Sequence, residues 1–290
     1  MDGIIDKITE FIRSMLEGWV LTNLETMFTD VNDKVGTIAT EVGQSPSTWN
    51  SGIFSMVKNL SDNVMIPIAG MIISFVLVYE LISMIIDKNN MHEFDTSVFI
   101  RFLMKACIAV LLLSKTFDIV LAVFDVGTHI VSEAGSTITG STSINVGPTL
   151  QSMFNSQLST MEIGSLITLG LETMIASLCM KIMSICITVI VYGRMVEIYL
   201  YISVAPIPAA TLGNKEWGTI GTNYFKGLCA LAFQGFFIMV CVGIYSVLVN
   251  SITVSGDLHS AVFSVLGYSV LLCFSLFKTG GLAKSIWNSH

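Results

Sequence analysis

One long apolar segment stands out in this sequence. Residues 163–192 read IGSLITLGLETMIASLCMKIMSICITVIVY, and only Glu172 and Lys181 are charged among these 30 positions. A helix that crosses a bilayer needs about 20 predominantly apolar residues. The segment therefore predicts a transmembrane helix.

The composition of the whole chain agrees with a membrane protein. Of the 290 residues, 53% are hydrophobic and 12% are charged, and the mean hydropathy is +0.75. Soluble domains contain about 25% charged residues. This balance excludes an ordinary cytosolic enzyme and a disordered protein. The net charge of −7 also excludes a basic nucleic-acid-binding surface that extends over the whole chain.

Four further apolar segments bring the predicted number of transmembrane helices to about five, near 65–86, 99–126, 163–192, 227–249 and 261–277. Between the third and fourth spans, Pro206 and Pro208 lie two residues apart, which ends a helix. We therefore expect an all-α polytopic membrane protein with a proline-broken hairpin on the cytoplasmic side. The sequence leaves open whether 195–213 crosses the membrane or only dips into it.

The first 62 residues differ from the rest. Apolar side chains recur every three or four residues from Ile4 to Trp19, and charged side chains from Asp6 to Glu17 occupy the other side. This pattern is typical of an amphipathic helix. From 29 to 62 the chain is polar, with a turn-like linker around Pro46. We predict that 1–62 form an extramembrane segment and linker, and that 63–290 form the transmembrane domain.

The distribution of basic residues predicts the orientation in the membrane. The loops 127–162 and 250–260 contain neither Lys nor Arg, whereas the opposite ends of the spans are flanked by Lys88, Arg101, Arg194, Lys215, Lys226, Lys278 and Lys284. Basic residues accumulate on the cytoplasmic side. If the proline segment does not cross, we expect the N-terminus outside and the C-terminus in the cytoplasm.

The predicted second span carries the charged residues with the clearest functional meaning. On a helical projection, its charged residues fall within roughly half of the helix circumference. They are Arg101, Lys105, Lys115, Asp118 and Asp125. A charge at mid-bilayer costs at least about 2.5–3.5 kcal/mol on insertion scales. We expect this face to line a substrate path or a subunit interface. In the alternative, Arg101 and Asp125 are interfacial, and Lys105 and Lys115 snorkel.

Glu172 and Lys181 are further candidates for the same path or interface. They lie nine residues apart on one helix, face opposite sides, and so cannot pair with each other. Each needs a partner on another helix or in another copy. The sequence contains no catalytic motif, phosphate-binding loop or metal-ligand spacing. We therefore expect no enzyme activity, no cofactor and no metal site.

Several short motifs after the third span resemble a known family. Residues 199–210 read YLYISVAPIPAA, followed by Trp217-Gly218, by NYFKG at 223–227 and by FKTGG at 277–281. Their order, with the polar outer loop before them, is similar to that of the TrbL-type polytopic subunits of type IV secretion and conjugation systems. The resemblance covers roughly 65–284.

This resemblance implies a function and a set of partners. A TrbL-type subunit is a channel or scaffold component of a DNA-transfer machine in the bacterial cytoplasmic membrane. The resemblance also implies a ring of identical copies beside other secretion subunits and an ATPase, with single-stranded DNA and its relaxase passing through. Arg101 and Lys105 would then line the inner vestibule where phosphates pass. The alternatives are a small-solute permease or transporter subunit and a purely structural membrane scaffold.

Overall fold

The chain is built almost entirely from α-helices. The computed structural model describes residues 2–87, 96–141, 157–214, 216–252 and 258–288. The structure is 93% helical, and these residues include no strand. Four helices are long and apolar enough to cross a membrane, and a bent helix pair is a fifth candidate. The prediction of an all-α polytopic membrane protein is confirmed.

The helices of the described residues follow in this order: α1 (Asp2–Val42), α2 (Pro46–Trp49), α3 (Ser51–Leu60), α4 (Ile66–Asp87), α5 (Thr96–Ser114), α6 (Thr116–Ser141), α7 (Ile163–Val204), α8 (Pro206–Thr211), α9 (Gly218–Ile252) and α10 (Leu258–Ile286). A π-helical turn, Ser61–Met65, joins α3 to α4. The candidate spans are Ser51–Ile86, α7, α9 and α10. Lys88 and Lys215, two of the basic residues from which the orientation is predicted, lie outside the described residues.

The N-terminal region is more helical than the sequence predicts. The polar stretch 29–62, interpreted as a linker, continues α1 as far as Val42 and then forms α2 and α3. The reason is a buried stripe that persists through Val35, Ile38 and Val42. A helix that buries an apolar stripe tolerates polar residues on its other faces. The division of the chain at residue 62 into extramembrane and transmembrane parts stays a prediction.

The predicted second span consists of two helices. α5 and α6 meet at Lys115 and form the bent pair, with an angle of 64° between them. On either side of the break, the hydroxyls of Ser114 and Thr116 donate to the carbonyls of Leu111 and Leu112. Such back-bonding hydroxyls favour helix bending. The segment near 99–126 is therefore a broken span or a re-entrant loop rather than one straight helix.

The described helices form two compact units. The first comprises Met1–Val42, Val131–Tyr192 and Phe236–Thr279, and the second comprises Gly43–Ile130, Gly193–Gly235 and Gly280–His290. The core of the first unit joins apolar residues of α1, α7, α9 and α10. The second unit has one core around Phe117, Ile198 and Leu228, and a smaller one beside α8.

Helix α1 packs closely on α7 within the first unit. The Trp19 ring lies so near Gly170 that a Cβ at position 170 would be 2.4 Å from it. Asn23 Nδ2 donates to Thr173 Oγ1 at 3.4 Å, and the Arg13 guanidinium donates to the Met161 carbonyl. A side chain at position 170 would therefore require the Trp19 ring to move.

We expect Gly170→Leu to displace Trp19 and loosen α1. Forcing a side chain into this contact should cost about 1–3 kcal/mol of stability. Thermal unfolding of the purified protein and protease cleavage within α1 measure the effect. The control is Gly164→Leu on the same helix, where a Cβ would meet no atom within 4 Å. If both variants unfold at the same temperature, α1 does not depend on this contact.

Candidate functional site

The proline-broken segment folds as the short helix α8. Pro206 is the first residue of α8, a position where the N–H that proline lacks would have no partner in the helix. For the same reason α7 ends before Pro206, because residue 206 has no N–H to donate to the Ile202 carbonyl. α8 contains six residues. A helix needs about 20 residues to cross a bilayer, so α8 is too short to cross one. Its Ala210 packs in a small apolar core with Ala69, Ile73, Ala109 and Leu113. α8 is thus held against α4 and α5.

A partly buried polar cluster, the Glu80 network, fixes the turn after α8. Its members are Glu80 of α4, Lys105 of α5 and Asn214. Glu80 is 6% exposed. Its Oε1 accepts from Lys105 Nζ at 2.5 Å, and its Oε2 accepts from Asn214 Nδ2 at 2.9 Å. Both carboxylate oxygens are therefore partnered, which a buried charge among apolar helices requires.

Asn214 uses both ends of its side-chain amide. Its Oδ1 accepts from the backbone N–H groups of Glu216 and Trp217 at 2.8 and 3.1 Å, just before α9 begins. Tyr79 of α4 donates its hydroxyl to Glu216 at 2.7 Å. The Glu80 network thus connects two helices to the turn that leads into α9.

The five charged residues of the predicted second span lie in different surroundings. Lys105 belongs to the Glu80 network, and Lys115 pairs with Asp118 at 3.2 Å on the surface at the bend. Arg101 and Asp125 are exposed, and neither has an ion-pair partner in the part of the chain that the structure describes. The structure does not gather the five into one cluster.

Glu172 and Lys181 are also placed apart. Glu172 Oε2 lies 2.6 Å from His259 Nδ1 of α10, within the first unit. Lys181 is exposed and has no ion-pair partner among the residues described. Sequence reasoning missed His259, because the residue lies at the start of a helix in what the hydropathy pattern predicts as a loop. A carboxylate in an apolar helix is nevertheless a signal to search for such a partner.

Arg194 is a further residue that the sequence used only to predict orientation. It is 5% exposed, and its Nη2 donates to the Leu231 carbonyl of α9 at 3.4 Å. Its Nε has no hydrogen-bond partner within the described ranges. Among the described residues no carboxylate pairs with it. The long, weak bond to a carbonyl is its one polar contact there.

Metal-binding geometry is absent from the described ranges. They contain no group of three or more His, Cys, Asp or Glu side chains that could hold a metal ion. The polar contacts that they do contain join helices to one another, as in the Glu80 network.

The comparison with protein families identifies the chain. A family model described as "TrbL/VirB6 plasmid conjugal transfer like protein" matches residues 31–206, more than half of the sequence. The match begins within α1 and ends at the first residue of α8. Comparisons with curated proteins and with solved structures gave no match. The chain therefore belongs to the TrbL/VirB6 family of plasmid conjugal transfer-like proteins.

Proposed function

We propose that the chain is a channel or scaffold subunit of a conjugative DNA-transfer machine, present in several copies in the bacterial cytoplasmic membrane. Family membership implies the coarser part, a multi-pass membrane component of a conjugation or type IV secretion complex. The channel or scaffold role in several copies is supported by one observation. On α5, Arg101 is exposed among the exposed apolar side chains of Ile100, Leu103 and Met104.

An isolated cation on an apolar helix favours assembly over a lipid-exposed monomer. A charge that faces lipid at the bilayer centre costs at least about 2.5–3.5 kcal/mol, and a water-filled path or another subunit removes whatever part of this cost applies at the depth of Arg101. We therefore propose as partners further copies of the chain, other type IV secretion subunits and their ATPase. Single-stranded DNA with its relaxase would be in transit. The proposed orientation has the N-terminus outside and the C-terminus in the cytoplasm, and the proposed role needs neither catalysis nor a cofactor.

Arg101 is a stronger candidate for DNA contact than Lys105. The ammonium of Lys105 is held by Glu80 at 2.5 Å, whereas Arg101 is exposed without a carboxylate partner among the described residues. A guanidinium also binds phosphate through two parallel hydrogen bonds. We retain Lys115, Asp118, Asp125, Glu172 and Lys181 as candidate subunit-interface residues.

We expect Arg101→Gln to reduce conjugative transfer by about tenfold or more at normal protein levels, because a phosphate contact is lost. The measurement is mating efficiency in a strain whose own copy is deleted. Lys278→Gln is the matched control, since Lys278 is exposed on α10 and belongs to none of the candidate sites. Equal transfer by Arg101→Gln and the wild type would refute the contact. Lys105→Glu is a poor probe, because it would place a second carboxylate against Glu80.

A further inference from the structure

Helix α1 runs parallel to α7 in a fixed register. Within the first unit, Arg13 contacts the Met161 carbonyl and Asn23 contacts Thr173, at sequence separations of 148 and 150. The Trp19 ring of α1 also lies against Gly170 of α7. Because the separation stays nearly constant, the two helices advance side by side.

The buried residues of α1 extend this contact along the first unit. They share one apolar core with residues of α7, and the shared residues include Leu24, Met27, Val35, Ile38, Val42, Ala176, Met180, Ile187 and Val191. One face of α1 is therefore covered by its own chain from Val20 to Val42.

This register places part of α1 at the depth of a membrane span. α7 is a candidate span, and between Glu172 and Arg194 it carries a single charged residue, Lys181. That stretch has about the 20 residues that a crossing requires. At a separation of about 150 residues, the segment of α1 that lies beside it in the first unit is 23–42. This depth differs from the sequence-based expectation that 1–62 lie outside the membrane.

Between Thr22 and Thr40, the described side chains of α1 that stay exposed are polar. Exposed side chains spaced three or four residues apart form the α1 polar stripe, which consists of Thr22, Glu25, Thr29, Asp33, Thr37 and Thr40. The hydroxyls of Thr22, Thr37 and Thr40 donate to carbonyls of their own helix, so lipid would tolerate them. Glu25 and Asp33 have no ion-pair partner among the described residues. These two carboxylates decide what the stripe can face.

We propose that the α1 polar stripe faces water at bilayer depth and lines a hydrated path. Two unpaired carboxylates are costly against lipid, and α1 cannot rotate them inward because its apolar face is already packed. The acidic charge repels phosphate, so the stripe is a lining for water and cations rather than a DNA contact. The inference rests on the proposed function only in assigning this path to the transfer channel.

Cysteines placed at matched depth test the proposal. Thr29→Cys lies on the stripe, and Leu178→Cys lies on α7 at nearly the same level, where Leu178 is 61% exposed on an apolar face. The full chain is labelled in native membrane vesicles with a charged, membrane-impermeant thiosulfonate on both sides. A lipid-soluble maleimide is the second probe, and the parent chain with its six native cysteines gives the background.

We expect the charged reagent to modify Thr29→Cys at least about tenfold faster than Leu178→Cys, because only hydrated thiols ionise and react readily. Leu178→Cys should react with the maleimide once the vesicles are dissolved in SDS, which shows that its thiol is intact. If the charged reagent modifies neither cysteine, the stripe is in lipid or covered by protein, and the proposal fails. If it modifies both equally, this part of α7 is not at bilayer depth, and the proposal fails as well. Labelling does not depend on conjugation. Normal DNA transfer by Arg101→Gln would therefore count against the proposed DNA contact without affecting the labelling result.

Discussion

Glu80→Leu should destabilise the protein by about 2–3 kcal/mol, because the substitution leaves the Lys105 ammonium and the Asn214 amide without their shared acceptor. The Lys105 side chain is 41% exposed and can turn toward water, which limits the loss. Asn214 cannot, since it is buried and its other end caps the turn before α9. Thermal unfolding of the purified protein in detergent measures the effect.

A double substitution separates the charge pair from simple packing. Glu80→Leu combined with Lys105→Met removes both charges, and we expect it to recover part of the lost stability, as replacement of buried ion pairs by apolar residues commonly does. Asp118→Ala is the control, because its pair with Lys115 is exposed and should contribute at most about 1 kcal/mol. If the double variant is no more stable than Glu80→Leu alone, the contribution of Glu80 to stability does not come from its charge pair with Lys105.

Gly221→Ala is expected to be the second severe substitution. A Cβ at this position would lie 2.6 Å from the Pro208 carbonyl oxygen and 2.6 Å from Leu212 Cδ2. The Gly221 N–H also donates to Thr211 Oγ1 at 3.1 Å. Because one of the obstructing atoms is backbone, α8 must separate from α9, at a cost of about 1–3 kcal/mol or more.

The matched control for this substitution is Gly267→Ala in α10. A Cβ there would meet nothing within 4 Å, and replacing a helical glycine by alanine should raise stability by up to about 1 kcal/mol. The two alanine variants should therefore shift the unfolding temperature in opposite directions. A loss of equal size in both would show that Gly221 is not under a special steric constraint.

Hydropathy alone was sufficient to predict most of the membrane helices. α7, α9 and α10 are candidate spans that contain the predicted segments 163–192, 227–249 and 261–277. The bend at Lys115 could not be predicted in this way, because it depends on hydroxyl bonds to the backbone and on contacts such as that between Phe54 and Phe117. Nor did polar composition show that α1 continues to Val42, since packing on other helices supplies its stability.

The candidate site was only partly predictable for a similar reason. A lone carboxylate in an apolar span requires a partner, so Glu80 could have been expected to find a base. Which base it finds depends on how α4 and α5 pack. Asn214 lies in a turn without periodicity, and the environment of Arg194 is set by the Leu231 carbonyl of a distant segment. Pro206 and Pro208 predicted the helix break, whereas the close approach of Gly221 to Pro208 depends on how α8 packs against α9.

Crosslinking of the transferred strand to the chain tests the channel role most directly. During mating, cells are treated with formaldehyde, the chain is purified under denaturing conditions, and the attached DNA is quantified. We expect transferred DNA to be recovered with the wild-type chain and to fall with Arg101→Gln at equal membrane levels. Normal transfer without any recovered DNA would contradict a channel subunit and leave a purely structural scaffold.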